Sequence, residues 1–513
     1  MPPRATNKWL VAVAVILPTI LEVLDTTVVN VALPHIQGSL NAGVDEVAWV
    51  LTSYLIANGI VIPLTGWLSG LLGRKLFFLL CITLFTLSSF LCGSAPNLPL
   101  LVLFRLLQGA SGAAMIPLSQ AILMETFPPR QHGLATAVWG FGVMFAPIVG
   151  PLLGGWITDN YTWRWAFYIN VPLGFLAFAL TWAFVHDPAY VKRAMATIDY
   201  LGLALLVIGL GCLQLVLDRG QRADWFAATW VQICTGMCVV ALITFIVWEL
   251  RTAEPILHFR LLATRTYAVG VLLHGLLGFC LYSSLMLQPL YAQTLMGYDA
   301  LNAGVLVAPG GVGTLLMMPV VGLLMNRVDV RLLVALGMGV TSYGVLMMSH
   351  FALTSSPWHL IWPRIVWALG MAFFFVPLSA AALGIIPKER MGDASALFNL
   401  TRNIGGSVGI ALAVTLLSRR AQFHQYILIS HVTPNDPEAV DRFTSLWQGL
   451  VFSGSDPVIA HEQATGLIYS EVLRQSLLMS FLDTFWLIGV ISLACVPLVL
   501  LMREFRGGIA VGH

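Results

Sequence analysis

Two carboxylates, Glu22 and Asp25, stand in the first long apolar run, "PTILEVLDTTVVNVALP" (18–34). An Asp or Arg at the centre of a membrane span costs on the order of 2.5–3.5 kcal/mol on insertion scales, so such groups face a polar cavity or one another. Arg105, Arg364, Arg402 and the titratable His274 lie in further apolar runs. Glu22 and Asp25 are three residues apart and share one helix face, and Thr26 and Asn30 extend the polar stripe. Neighbouring carboxylates in a low-dielectric site do not both ionise cheaply. Such a pair can take a proton from one side of a membrane and release it on the other. The alternative is a static ion pair with Arg105 that ties two spans together. Gln108, one turn from Arg105, is a second hydrogen-bonding group. For Arg364 and Arg402 the expectation is structural, with cation–carbonyl or interhelical contacts near helix ends. For His274 it is a hydrogen-bonded packing role.

Composition supplies the frame for these charges. Of 513 residues, 58% are hydrophobic and 10% charged, against about 25% charged in soluble proteins. The chain therefore reads as an all-α integral membrane protein. A formal net charge of +2 and the lack of long charged blocks exclude a nucleic-acid partner. The 7 cysteines form no CxxC or Cys/His cluster, so they read as soft core residues and no metal site is expected. The first run follows Arg4 and Lys8 and is too long for a cleaved signal core.

A span needs roughly 20 mostly apolar residues. The candidates are 9–33, 47–69, 76–95, 99–123, 133–157, 165–185, 198–218, 229–249, 267–292, 302–325, 331–351, 359–386, 394–418 and 481–502, fourteen in all. An even count puts both termini on one side. Lys8, Arg74, Lys75, Arg130, Lys388, Arg390 and Arg503 crowd that side, while Arg164, Arg219 and Arg222 stand opposite. The positive-inside rule then predicts cytoplasmic termini. The long outer stretch 419–480 also carries arginines, but such long segments weigh little in that rule. Within it, Asp436-Pro437 is a helix start, followed by Val440, Phe443, Trp447 and Leu450 at helical spacing. Asp456-Pro457 starts a second helix leading into the last span. The prediction is a short outer helical hairpin that either packs on the bundle or docks a partner.

"RLLQGASGAAMIPLSQAILMETFPPR" from Arg105 is echoed by "RIVWALGMAFFFVPLSAAALGIIPKER" from Arg364, and "GWLSGLLGRK" (66–75) by "GLLMNRVDVR" (322–331). Two six-span halves with corresponding motifs mark a transporter built from repeats. The expected plan is an N-terminal half (1–190), a two-helix insert (191–262) and a C-terminal half (263–513). In "GFGVMFAPIVGPLLGGW", Gly142, Ala146, Gly150 and Gly154 recur every four residues and bare one helix face for close approach. Pro147 and Pro151 invite a bend there. Gly405 and Gly409 repeat the pattern in the C-terminal half. Smooth faces of this kind suit one half rocking on the other, or static dense packing. Trp49, Tyr54, Asn58, Trp139, Met144, Tyr282, Met286, Gln288 and Tyr291 are expected to line a substrate cavity, where aromatic and Met side chains make adaptable walls.

At these residues the chain resembles the major facilitator superfamily, in particular its fourteen-span drug/proton antiporters of the EmrB/QacA type. "LDTTVVNVALP" (24–34) is similar to that group's first-span motif and carries over Asp25 and Asn30. "RLLQGASGAA" (105–114) is similar to its proton-coupling motif, carrying over Arg105, Gln108, Gly109 and Gly112. "APIVGPLLGG" (146–155) is similar to its antiporter motif, carrying over Pro147, Gly150, Pro151, Gly154 and Gly155. The loop "GWLSGLLGRK" keeps Gly66, Gly73, Arg74 and Lys75 but has Gly70 where the family has an acid, which puts the usual charged latch in doubt. The long outer stretch resembles the EmrB branch. The resemblance implies a bacterial inner-membrane pump for hydrophobic small molecules, working with a periplasmic adaptor protein and an outer-membrane channel.

"GLLGRK" lacks the spacing and the Ser/Thr of a P-loop, so the expected energy source is a proton gradient, with no cofactor. Protonation of Asp25, and of Glu22 beside it, would release substrate outside; deprotonation inside would restore affinity. Rival readings are a dedicated exporter of one amphiphile such as a fatty acid, bile salt or siderophore, a proton-independent facilitator, and a membrane-embedded lipid-modifying enzyme. The last would need a clustered catalytic set that the sequence does not offer.

Overall fold

The computed structural model describes residues 7–187, 199–252 and 255–502, with a two-residue strand pair at Phe505–Arg506 and Ile509–Ala510. Arg4, Arg503 and the boundary expected at 190/191 lie outside the described residues. Among the described residues, 14 helical segments are long and apolar enough to cross a membrane. They are α1 (Lys8–Ser39), α2 (Trp49–Leu72), α3 (Arg74–Ser94), α4 (Leu98–Thr126), α5 (Pro129–Thr158), α6 (Trp165–Phe184) and α7 (Tyr200–Arg219), then α8 (Thr229–Arg251), α9 (Arg265–Leu295), α10 (Leu301–Leu324), α11 (Val330–Met348), α12 (Pro357–Gly384), α13 (Lys388–His431) and α14 (Pro457–Leu501). Phe175, Val240, Leu316 and Leu332 are exposed on these helices. Apolar side chains on that scale are unfavourable in water and favourable against lipid. The chain is a multi-pass membrane protein.

Short polar side chains set the helix starts by accepting from otherwise orphaned backbone N–H groups. Asn7 caps α1, Asn97 caps α4, Asp299 caps the helix of α10 and Asp456 caps α14. Proline explains the internal breaks, since its ring clashes with the carbonyl four residues back. At Pro63, α2 passes through the 3-10 turn Ile62–Leu64. Before Pro117, α4 breaks at Ala113-Ala114. By contrast, the helix His132–Asn160 runs unbroken through Pro147 and Pro151.

In the N-terminal half α1 packs on α4, α5 and α6, and α2 and α3 pack on α4. In the C-terminal half α9 packs on α13, and α12 on α10 and α11. The inserted α7 and α8 pack on each other, and α7 also touches α2 and α13. Between the halves, α5 runs against α10.

The small-residue stripes lie elsewhere than on the contact between halves. Gly142 faces Ile16, Gly150 faces Thr27 and Gly154 faces the Val28 backbone, so this stripe seats α5 on α1 within its own half. Gly405 and Gly409 likewise face backbone of α9, at Gly275 and Phe279. The reason is helical phase: Gly133, Gly140 and Pro151, offset around α5, are the residues that meet Gly322, Met318 and Gly304 of α10.

The outer stretch also differs from the expected short hairpin. The helix Met391–His431 continues for 41 residues without a break at 418, and Pro457–Ala494 runs for 38. Between them a helix at Pro437–Phe452 packs on α14. Asp436 and Asp456 cap their helices as the sequence indicates. The apolar run ends near 418, but nothing in "SRRAQFHQYILIS" breaks a helix.

Candidate functional site

Asp25 sits at the centre of the N-terminal half with no exposed surface. Arg105 Nη1 donates to its Oδ2 at 2.5 Å, while Gln108 Nε2 and Asn170 Nδ2 donate to Oδ1 at 2.8 and 2.7 Å. Charge-assisted bonds of this kind are strong. The cage extends further: Arg105 Nε donates to the Val50 carbonyl at 3.0 Å and Nη1 to Gln108 Oε1 at 2.8 Å. Ser89 Oγ accepts from Asn170 at 2.9 Å and donates to the Phe167 carbonyl at 2.9 Å. The Tyr54 ring lies 4.2 Å from the Arg105 guanidinium carbon, a cation–π geometry. One buried acid thus joins α1, α4 and α6, while its arginine reaches α2.

Glu22 belongs to a different place. It is buried on α1 and accepts from Asn58 Nδ2 of α2 at 2.9 Å, while its Oε2 has no partner. Asn403 of α13 reaches Asn58 Oδ1 at 3.4 Å, so this group lies on the seam between halves. The common polar patch expected for Glu22 and Asp25 is therefore two sites. Three helical steps of 100° leave the two side chains about 60° apart, enough to send one into the half and the other to its edge. Thr26 donates to its own helix at Val23, and Asn30 is exposed.

The seam is closed at the end of the bundle where α1 begins and α14 ends. Asp393 of α13 lies against the Cα side of Gly66, where no larger residue fits. Arg74 pairs with Glu125 and also donates to the Lys388 carbonyl at 3.3 Å. Deeper in, Gln120 Oε1 accepts from Ser395 at 3.1 Å and from Asn399 at 2.6 Å. His258, on the segment entering α9, stands 3.2 Å from Asp393. Gly70, where an acid is missing, has open space around it, and Glu125 and Asp393 bring the carboxylates from other helices. Gly73 turns the chain with φ 86°, a conformation suited to glycine.

The expected cavity residues divide. Trp139 donates to Ser119 Oγ at 2.8 Å and stacks on Phe375 of the other half at 5.7 Å. Phe375 is followed by His274 at 6.0 Å, and His274 by Phe398 at 3.7 Å. Met144 is buried; Tyr282, beside Gly406, and Met286 are half-buried. Three expectations are corrected. Trp49 is 40% exposed beneath Arg219, in a groove with Leu215, Arg222 and Trp230 of the inserted segment. Gln288 donates to the Leu360 carbonyl, and Tyr291 donates to that of Ala352 between Phe351 and Phe481, so both are packing residues.

Among the other buried titratable groups His274 and Arg402 depart from expectation, while Arg364 makes the interhelical contact expected of it. Both ring nitrogens of His274 lack a hydrogen-bond partner, because aromatic rings surround it. Arg364 donates to Ser284 at 2.9 Å and lies 4.0 Å from the Trp367 ring. Among the described residues the Arg402 guanidinium bonds to no carbonyl or acid, and its Nε and Nη1 have no hydrogen-bond partner. Asn170 and Ser89 are the site residues that sequence reasoning passed over. Their signal was an amide and a hydroxyl inside apolar runs, weaker than a charge. Asn170→Ala should lower stability by about 1–3 kcal/mol, since it strips buried acceptors of a donor. Thermal melting in detergent checks this, and an unchanged midpoint would show that Asn170 is dispensable to the cage.

The description Major Facilitator Superfamily matches residues 15–410. The chain is 36% identical over 502 residues to Multidrug export protein EmrB of Escherichia coli (strain K12), covering 97% of this chain and 96% of that one. It is 35% identical over 510 residues to Fatty acid resistance protein FarB of Neisseria gonorrhoeae, covering 98% of each. Among solved structures, the proton:xylose symporter XylE aligns with a TM-score of 0.61, at 14% identity over 98% of this chain and 97% of that one. That likeness is one of fold.

Proposed function

The chain belongs to the Major Facilitator Superfamily, and from that premise we propose that it exports hydrophobic and amphiphilic toxic compounds across a bacterial inner membrane in exchange for protons. It is a transporter and not an enzyme. The observation that carries the proton-coupled reading is the fully buried Asp25 held by Arg105, Gln108 and Asn170. An ionised carboxylate in such a place is sustained only by its donors. A proton on Asp25 removes the charge that Arg105 answers, frees its guanidinium and Gln108, and loosens α1 from α4. Loss of the proton draws them together again. Glu22, at the seam, is the second acid of the cycle. The gradient is the energy source and no cofactor takes part.

In this reading the face with the closed contacts is cytoplasmic, as are both termini, and substrate leaves on the opposite side as the halves rock. The protruding ends of α13 and α14, with the helix Pro437–Phe452 between them, then lie in the periplasm, where they would meet an adaptor protein leading to an outer-membrane channel. A second reading, export of one class of amphiphile, is favoured by the likeness to FarB, whose name concerns fatty acids.

The test is reconstitution of the full chain in liposomes with an acidic interior. A fluorescent hydrophobic dye should accumulate inside as protons leave, and collapse of the gradient should stop it. Dye entry at the same rate with and without the gradient would favour a facilitator and sink the exchange reading.

A further inference from the structure

We propose that Arg402 is a specificity-determining residue that receives an anionic headgroup, so that the seam selects amphiphiles ending in a carboxylate or a comparable oxyanion. This rests on the export reading and narrows its substrate class.

The buried span arginines are unequally provided for. Arg105 has Asp25, Gln108, the Val50 carbonyl and the Tyr54 ring. Arg364 has Ser284 and the Trp367 ring. Arg402 is 4% exposed, its Nε and Nη1 have no hydrogen-bond partner, and among the described residues no ion pair or aromatic face meets its guanidinium. A buried cation left this way is strongly disfavoured until an anion answers it. Glu22, across the seam, lies within electrostatic reach but is not bonded to it; its Oε1 takes the Asn58 amide and its Oε2 is free. Helix α13 cannot easily withdraw, because the Arg402 backbone carbonyl presses on Gly278 of α9.

What would answer this cation is a planar oxyanion. A guanidinium presents parallel N–H donors that match a carboxylate bidentately. Its Nε and Nη1 have no partner, so a carboxylate could engage either edge of the guanidinium, Nε with Nη2 or Nη1 with Nη2. The surroundings suit the rest of an amphiphile. His274, also within electrostatic reach of Arg402, begins the row of rings that runs through Phe375 to Trp139 of the other half. That row is an apolar wall beside a lone cation, with both His274 nitrogens free to donate or accept. An ionised Glu22 opposes an incoming anion, so its charge weakens binding and shuts out weakly held ligands.

The experiment is equilibrium binding of radiolabelled dodecanoate to the full chain in lipid nanodiscs, at a pH where dodecanoate is ionised. Dodecanol and dodecyltrimethylammonium are compared as competitors with the same tail. Wild type should prefer dodecanoate to dodecanol by about tenfold, the worth of a hydrogen-bonded charge. Arg402→Gln should erase that preference with dodecanol binding unchanged, Arg402→Lys should keep part of it, and Glu22→Gln should tighten dodecanoate. Equal binding of dodecanoate and dodecanol to wild type, a preference that survives Arg402→Gln, or loss of both ligands in Arg402→Gln and Arg402→Lys alike would overturn the proposal. No gradient enters this measurement. Its failure leaves gradient-driven export standing, and failure of dye accumulation leaves a measured headgroup preference standing.

Discussion

Asp25→Asn should abolish gradient-driven accumulation, bringing it to the level of empty liposomes, while Glu22→Gln retains a measurable part of it. The difference follows from the two environments. Asp25 answers a fully buried guanidinium through three donors, whereas Glu22 has one amide donor and a free oxygen at the seam. The single Asp25→Asn change also strands Arg105, and removing one member of a buried pair costs about 3–5 kcal/mol. A lower melting midpoint is therefore expected, and by itself would leave transport loss ambiguous. The double variant Asp25→Asn, Arg105→Gln separates the two effects. With both charges gone its midpoint should recover much of the loss, yet accumulation should stay absent. If the stable double variant still concentrated dye against the gradient, the coupling role of Asp25 would be refuted.

The second large effect is mechanical. Gly278→Ala should destabilise the protein by about 1–3 kcal/mol or more, the range for forced overpacking. A methyl group there meets the Arg402 backbone carbonyl, which has no rotamer by which to move aside. Gly405 and Gly409 meet α9 backbone in the same manner, so the two helices cross on bare backbone and must separate to admit one carbon. Gly236→Ala, on α8 with nothing within 4 Å, is the control. It should be neutral or slightly stabilising, because alanine is the better helix former. Fluorescence-detected gel filtration after heating reads both. Equal midpoints for the two variants would show that the α9–α13 crossing has slack.

Much of this molecule was legible because lipid makes the rules strict. A span must be apolar and long, so the run from Lys8 onward and its successors could be read directly. Asp436 and Asp456 announced their helices by local chemistry. Partners were harder, since spacing along one helix says nothing about which helix lies opposite. The four-residue stripe from Gly142 was visible, but its seat on Ile16 and Thr27 depends on where α1 lies. His274 could be seen as a polar residue in an apolar run, while its stacking on Phe398 comes from a helix more than a hundred residues later. Glu22 and Asp25 diverged for the same reason, because a small angle on α1 becomes a choice between a half's interior and its edge. The outer stretch misled through hydropathy, which tracks lipid contact and is silent about a helix that continues into water.

That continuation has a mechanical meaning. The 41 residues from Met391 to His431 span about 60 Å at 1.5 Å per residue, roughly twice the 30 Å hydrocarbon core. Arg420 and His424 clamp Asp483 of the neighbouring helix at 2.6 and 2.7 Å, and Trp447 ties the capping helix to the Pro457 carbonyl at 3.0 Å. Such a braced pair is a lever whose fulcrum lies in the bilayer. A tilt of about 10° in the C-terminal half would sweep its tip through roughly 5 Å or more at this length. Each turnover would thus deliver a stroke far from the substrate path, and anything resting on the tip would have to yield to it in time with transport.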